Sequence, residues 1–442
     1  MIKRAALKEV LKQYRITHWV QDDRTYRQVS ISQTGEVTFR GEKSGREIGR
    51  KRQFIVDLDK HPNTLIFIRQ GVFKGGIGIA SAEVNKCLVT ENMPMFDIVG
   101  IKPGYLSLYL KSPQFKNDIN RLVPLGTAQK AIHEKHLLQL ELPLPPEEVQ
   151  DEVIHKIASI MKDEERLSLN TVKSIKLIAS LRQAILQEAV SGKLVPQDPK
   201  DEPASELLKK IKAEKEKLVR EKKTKKEKPL PPISEEEIPF EIPKGWVWVR
   251  LGEITAKIGS GSTPLGGRKI YEETGIPFIR SQNVWNTGLE LDDVVYITED
   301  IHKKMEGTRV FPGDILLNIT GASIGRTCIV PEDFKEGNVS QHVSIVRLIS
   351  PSITSFTHFF LLSPYLQNKI MDVEVGVSRE GLSKKNMELF LVPVPPFSEQ
   401  NRIIQKLDHL LKLCSDLEET VKENQNNSEL LMEAVLKEAF AS

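Results

Sequence analysis

Two stretches decide how this chain is read: LPLPPEEVQDEVIHKI, residues 142–157, and VPVPPFSEQNRIIQKL, residues 392–407. Each alternates apolar residues, breaks at a Pro-Pro pair and continues as an amphipathic run. Proline donates no ladder hydrogen bond, so the pair stops a strand. The same prolines suit the first turn of a helix, where Glu147, Glu148 and Glu399 meet the positive end of the dipole. One short strand followed by one long helix, written twice, predicts a duplicated domain.

The match spreads outward from the prolines. An offset of 250 aligns Pro143, Pro145, Pro146, Gln150 and Lys156 with Pro393, Pro395, Pro396, Gln400 and Lys406, and AILQEAV (184–190) with AVLKEAF (434–440). One residue of slippage upstream, YLSLYLKSPQFKNDI (105–119) falls on FTHFFLLSPYLQNKI (356–370). The period far exceeds that of stacked solenoid repeats, so these are two domains and not an array.

The helix after each Pro-Pro pair carries apolar residues at alternating steps of four and three, the spacing of a coiled-coil seam. In the first copy the seam reads Val153, Ile157, Ile160, Glu164, Leu167, Thr171, Ser174, Ile178, Leu181, Ile185. In the second it reads Ile403, Leu407, Leu410, Cys414, Leu417, Val421, Asn424, Ser428, Leu431, Val435. Thr171, Ser174, Asn424 and Ser428 read as register devices or as a loosely packed, wet stretch. Roughly forty residues at 1.5 Å each carry the chain about 60 Å; with the second domain at that far end the second helix runs back along the first, whereas parallel packing would need a long return path and crowd both heads at one end. Antiparallel packing, with two globular heads held apart by a helical rod, is the expected arrangement.

At 442 residues the chain has room for more than one core. No apolar run approaches the roughly eighteen residues that span a bilayer, and MIKRAALKEVLKQYR lacks a signal-peptide core, so a cytoplasmic location with no membrane partner is expected. Cys87, Cys328 and Cys414 are odd in number and widely spaced, which argues against disulfides and zinc and for buried hydrophobes. A net charge of +3 says little about polyanionic partners, which are read from local clusters. Residues 196–244 form a charged helix, a Pro-rich linker and an acidic patch, read as a solvated helix and tether or as a contact with phosphate or another subunit.

The first head opens with Leu7, Val10, Leu11 and Tyr14 at the spacing of an amphipathic helix. Strand-like alternation in VSISQTGEVTF precedes a basic cluster, Arg40, Lys43, Arg46, Arg50, Lys51 and Arg52, which glycines 41, 45 and 49 make a loop or hairpin. With Gln53 and Lys74, these are candidate DNA contacts, because arginine reads guanine bidentately and lysine anchors phosphate. A plain solvated basic loop is the alternative. The second head, from GWVWVRLGEI (245–254) onward, shows short apolar strands between Gly, Pro, Ser and Asn turns and is mainly β. Its candidate contacts are Arg268, Lys269, Arg280, Gln282, Asn283, Thr320, Ser323, Arg326 and Gln341.

No catalytic pattern emerges. The chain has no phosphate loop, no dinucleotide-binding glycine motif and no Gly-x-Ser-x-Gly elbow. His133 and His136 lack a carboxylate at metal-binding spacing, and Asp314 in PGDILLNITG lacks the second acid of a nuclease and reads as a turn cap. No catalytic residue and no metal ligand are assigned.

These features together resemble the specificity subunits of type I restriction-modification systems. The resemblance rests on GWVWVRLGEI, the STP…Y…GIPFIRSQNV run, GDILLNITGASIG, NVSQH and PPFSEQNRII, in this order on a duplicated layout. It implies an α+β chain with a target recognition domain at 1–145, a conserved spacer helix at 146–195 and a charged helix and linker at 196–240. A second recognition domain at 241–395 and a second spacer helix at 396–442 complete it. It further implies double-stranded DNA read as two half-sites, two modification subunits that carry S-adenosylmethionine and methylate adenine, and a restriction subunit. This chain itself would be non-catalytic and hold no cofactor. The first head departs from the pattern in having no counterpart of GWVWVRLGEI, and Val149 stands where the second copy has Glu399, so a docking contact carried by Glu399 is expected on one side only. A coiled-coil protein-binding scaffold, a specificity subunit of a related methyltransferase or nuclease assembly, and a self-contained nuclease or methyltransferase are the competing readings.

Overall fold

In both copies the Pro-Pro pair joins a strand to a helix. Glu141–Pro143 pairs antiparallel with Arg4–Ala6, and Leu391–Val394 pairs antiparallel with Val247–Arg250. The helices then run Glu147–Val190 and Phe397–Phe440. The repeated glutamine locks the joint: Gln150 Nε2 donates to the Pro145 carbonyl at 2.9 Å, and Gln400 Nε2 to the Pro395 carbonyl at 2.9 Å. Both glutamines are buried, so each side-chain amide replaces water for a carbonyl that the prolines leave without a ladder partner.

The computed structural model describes residues 3–122, 131–224, 226–264, 266–376 and 381–440. The chain divides into two units, Met1–Lys173 with Thr420–Ser442, and Ser174–Glu419. In the first unit a four-stranded sheet has the order Leu11–Tyr14, Met95–Ile98, Thr64–Phe67, Ile77–Ile79. The second unit repeats it as Thr255–Ser260, Val343–Leu348, Ile315–Asn318, Thr327–Ile329. The registers coincide as well. Met95 opposes Ile66 as Ile345 opposes Leu316, and Leu65 opposes Ile79 as Ile315 opposes Ile329. The duplication therefore reaches through the heads, at the same offset of 250, where side-chain identity had faded from view.

The entrance to the first head corrects the expected amphipathic helix. Residues 4–14 form strand Arg4–Ala6, one helical turn Leu7–Val10 and strand Leu11–Tyr14, matching Val247–Arg250, Leu251–Ile254 and Thr255–Ser260. Glu9 accepts from the Ala6 amide at 2.9 Å and Glu253 from the Arg250 amide at 2.8 Å. The counterpart of GWVWVRLGEI thus exists, as RAALKEVL. The one-turn cap Leu-x-Glu supplies the apolar spacing that mimics a longer helix.

Beside this shared sheet the units differ. The first carries a five-stranded sheet, in order Thr17–Trp19, Arg52–Ile55, Leu88–Val89, Thr25–Ile31, Val37–Ser44. The second carries Val295–Ile297, Ile276–Ile279, Gly337–Val339 and Arg309–Val310, with a separate hairpin Val284–Trp285/Gly288–Leu289. The segment 229–240 is not a free tether. Buried Arg250 donates to the carbonyls of Pro231 at 2.7 Å and Pro232 at 3.1 Å and pairs with Glu237 at 3.0 Å, pinning it to the second unit.

The long helices run antiparallel. Ile157 shares a core with Met432 and Leu436 in the first unit, and Arg182 reaches Glu418 at 2.7 Å and Ser415 at 3.1 Å in the second. Burial corrects the predicted seam at several positions. Ile157, Thr171, Ile178, Ile185, Ile403, Leu407 and Cys414 are buried, and Val153, Ile160, Glu164, Ser174, Leu410, Val421, Ser428 and Val435 are half-buried. Leu167, Leu181, Leu417 and Leu431 instead face solvent, the last two 50% and 60% exposed, and Asn424 is also exposed. Their places are taken by Ser168, Arg182, Glu418, Gln425 and Met432. A strict 3.5-residue repeat drifts by about 20° per heptad on a helix of 3.6 residues per turn, so the inward position slips by one residue.

Candidate nucleic-acid interface

In the second unit the end of strand Ile315–Asn318 organises the loops. Asn318 is fully buried, and its Nδ2 donates to the Ser281 carbonyl at 2.8 Å and to Ser323 Oγ at 3.2 Å. Its backbone amide donates to the Arg326 carbonyl at 2.8 Å. Thr320 Oγ1 bonds His342 Nδ1 at 2.7 Å. Gly261 closes the group: its amide donates to the Val343 carbonyl at 3.0 Å, and a Cβ there would lie 1.8 Å from the Val339 carbonyl oxygen. Segments around residues 261, 280–285, 320–326 and 340–342 thus converge at one end of the sheet.

Several predicted contacts meet there. Gln282 and Gln341 are exposed, and Arg280, Thr320, Ser323 and Arg326 are half-buried. Arg326 lies over the Trp285 ring, 3.9 Å from its centroid. Asn283 is a correction, being fully buried: it accepts from the Arg280 amide at 3.0 Å and donates to Glu290 O at 3.0 Å and Asp293 Oδ1 at 2.9 Å. An amide so saturated closes the loop and has nothing left for a base. Lys269 is exposed in the turn Gly267–Ile270, and the side chain of Arg268 lies outside the described residues.

In the first unit the basic cluster spreads over two strands and their connection. Arg40 and Lys43 stand exposed on edge strand Val37–Ser44, Arg46 in the turn Gly45–Glu47, and Arg52 on Arg52–Ile55. Lys43, Arg50 and Arg52 line an open cleft of about 400 Å³. Carboxylates already hold two of the cations: Arg50 pairs with Glu91 at 3.0 Å, and Lys51 pairs with Asp22. Arg40, Lys43, Arg46 and Arg52 form no ion pair among the described residues. Gln53 is a second correction: it is 6% exposed, and its Nε2 donates to the Arg50 carbonyl at 2.7 Å, holding that loop in place. Lys74 is exposed on Val72–Lys74, in the loop that matches residues 321–326 of the other unit. Gly75 and Gly325 occupy that loop with φ of 90° and 85°, the left-handed conformation that glycine adopts without strain.

Asp314 does cap its turn, accepting from the Phe311 amide at 2.9 Å, and also takes both arms of Arg347 at 2.7 Å. Among the described residues no group of three or more His, Cys, Asp or Glu is placed to hold a metal, and no helix is long and apolar enough to cross a membrane.

Residues 243–425 match the family model of the type I restriction modification DNA specificity domain. The chain is 30% identical over 394 residues to the type I restriction enzyme EcoAI specificity subunit of Escherichia coli, an overlap of 79% of this chain and 65% of that one. The chain is thus similar to type I restriction specificity subunits, and it spans 65% of the length of the EcoAI relative. Its fold is shared with the HsdS subunit of Thermoanaerobacter tengcongensis, at 18% identity and TM-score 0.56 over 99% of this chain and 96% of that one. A chain from a structure of the assembly and conformational transition of the type I R-M system overlays at 18% identity and TM-score 0.69, covering 99% and 97%.

Three features of this chain escape pattern reading. Trp19 is 67% exposed and sits opposite Arg52 in the sheet, an aromatic beside a cation on the candidate face. Its signal was available, as the sole aromatic in a polar strand, THW. Asn318 is invisible as a hub because its partners come from other loops.

The third feature is Glu399, which is no docking residue. It is 1% exposed and accepts from Trp246 Nε1 at 3.0 Å and Gln197 Nε2 at 2.7 Å. Burial pushes its carboxyl above the ordinary glutamate value. A raised folded-state pKa means that the stabilisation is complete below the unfolded value and is lost as pH rises through the folded one. Glu399→Gln is therefore expected to flatten the decline in thermal stability of the second unit above about pH 4.5, the reference glutamate value. A decline of unchanged steepness in the variant would locate the titrating group elsewhere.

Proposed function

We propose that this chain is the DNA-reading component of a type I restriction-modification assembly, each head recognising one half of a bipartite duplex sequence. One observation carries the reading. The two units present the same loop, between strands Thr64–Phe67 and Ile77–Ile79 and between Ile315–Asn318 and Thr327–Ile329, on the same sheet, with unlike side chains. Lys74 stands on one loop, and Thr320, Ser323 and Arg326 on the other. A repeated scaffold with divergent loops suits two unlike half-sites: base edges are read by the variable residues, and phosphates are held by the exposed cations.

In this reading the chain makes and breaks no bond. Two modification subunits, carrying S-adenosylmethionine, methylate adenine, and a restriction subunit joins them, in the cytoplasm. Leucines exposed on the long helices support docking of such partners. Leu169 and Leu431 of the first unit and Leu177 and Leu417 of the second are 69%, 60%, 65% and 50% exposed, more apolar surface than a helix that only spaces two heads requires.

The test is a map of methylated adenines in DNA from cells carrying this chain with its modification subunits. Two short half-sites separated by an unread gap of constant length are expected. A single continuous motif, or methylation indifferent to sequence, contradicts the reading.

A further inference from the structure

Of the arginines among the second unit's candidate contacts, Arg280 is already committed within the protein. Arg280 Nη2 donates to the Asp293 carbonyl at 3.0 Å. Arg326 is different. It forms no ion pair among the described residues, and its flat face rests on Trp285. Its backbone is fixed at both ends, the amide donating to the Ser323 carbonyl at 3.1 Å and the carbonyl accepting from Asn318.

Trp285 is held in turn. Its Nε1 donates to the Gln282 carbonyl at 2.8 Å, and the hairpin it opens is tied back when Asn286 Oδ1 accepts from the Thr327 amide at 3.1 Å. A guanidinium stacked on a fixed indole loses little further freedom on binding, and its N–H donors remain at the rim of the plane. That is the geometry guanine accepts in the major groove, where O6 and N7 take two parallel N–H bonds.

The duplication separates recognition from architecture. At the offset of 250 shared by the matching strands the counterpart of Arg326 is Gly76, and the hairpin that carries Trp285 has no counterpart in the first unit's sheets. The surrounding frame is kept: Gly75 matches Gly325, and the Ile68 amide donates to the Gly76 carbonyl at 2.8 Å as the Asn318 amide does to that of Arg326. The first unit builds the same loop without either side chain, so the fold does not require the stacked pair.

The geometry points to Arg326, braced by Trp285, as the residue that reads a guanine in the half-site of the second unit. Arg326 is the reading residue and Trp285 the positioning residue. This inference rests on the half-site reading proposed above.

The test measures methylation rates of the full complex, this chain with its modification subunits, on DNA libraries varied through both half-sites. For the natural chain, guanine is expected at one position of the half-site read by the second unit. Arg326→Ala and Arg326→Lys both reduce discrimination at that position by roughly 5- to 100-fold, and Trp285→Leu reduces it less. The remaining positions and the other half-site keep their preferences. Arg326→Lys, which retains the charge, also leaves the salt dependence unchanged and covers the case in which the alanine variant does not fold. A uniform loss on all sequences with a shallower salt dependence would make Arg326 a phosphate anchor and overturn the inference. An unaltered guanine preference would overturn it as well. A natural complex without bipartite preference would instead overturn the half-site reading itself.

Discussion

Phe440→Ala is expected to destabilise the first unit by about 3 to 5 kcal/mol, the usual cost of emptying a buried phenylalanine site. Phe440 is fully buried near the end of the second long helix, with its ring centroid 5.1 Å from that of Tyr105 and 5.6 Å from that of Tyr109. Those tyrosines are themselves fixed, Tyr105 donating to the Pro143 carbonyl at 3.2 Å and Tyr109 to the Glu141 carbonyl at 3.0 Å. The lost ring therefore leaves a cavity that its neighbours cannot collapse into. Because the chain has two units, one unfolding midpoint does not isolate the effect, and amide hydrogen exchange does. Strands Thr64–Phe67 and Met95–Ile98 should exchange faster by two to three orders of magnitude, roughly what this loss implies at tenfold per 1.4 kcal/mol, while Ile315–Asn318 stays protected. Equal protection of the first unit's strands in variant and natural chain would show that Phe440 is not part of its core.

The same residue shows what the sequence reveals and what it hides. AVLKEAF aligned with AILQEAV announces a second helix of the same kind, and the Pro-Pro joints announce where both begin. Which head receives the aromatic end is not written locally, because Phe440 and Tyr109 lie far apart along the chain. The seam was legible as a period and misjudged as a face: alternating fours and threes mark Leu417 and Leu431, and the slow drift of a straight helix turns Glu418 and Met432 inward instead. Residues 4–14 resemble a helix in sequence because a capped single turn between two strands places apolar residues at helical spacing. The polar candidates divide by burial, which residue type does not disclose. Gln53 and Asn283 spend their amides on backbone groups inside the fold, whereas Arg326 and Gln341 do not.

The second large effect concerns recognition. The second head's sheet, its loop cluster around Asn318 and the strand pair Val247–Arg250/Leu391–Val394 that closes it all lie within residues 245–394, and Val190, Ala204, Ile211 and Phe240 pack on its core from outside. Both entry and exit pass through that strand pair, so a related head that brings its own first strand to pair with Val392–Val394 meets the same helix joint, with Gln400 still closing on Pro395. The long helices and the first head are untouched. Base contacts in one head carry no information about the bases under the other, so the exchange replaces one set of preferences completely.

The decisive measurement is the methylated-adenine map of cells in which residues 245–391 have been replaced by the corresponding head of another specificity subunit. One half-site should change to that of the donor, with the other half-site and the gap between them preserved. A change in both half-sites, or in neither, would contradict two independent readers built on one repeated fold.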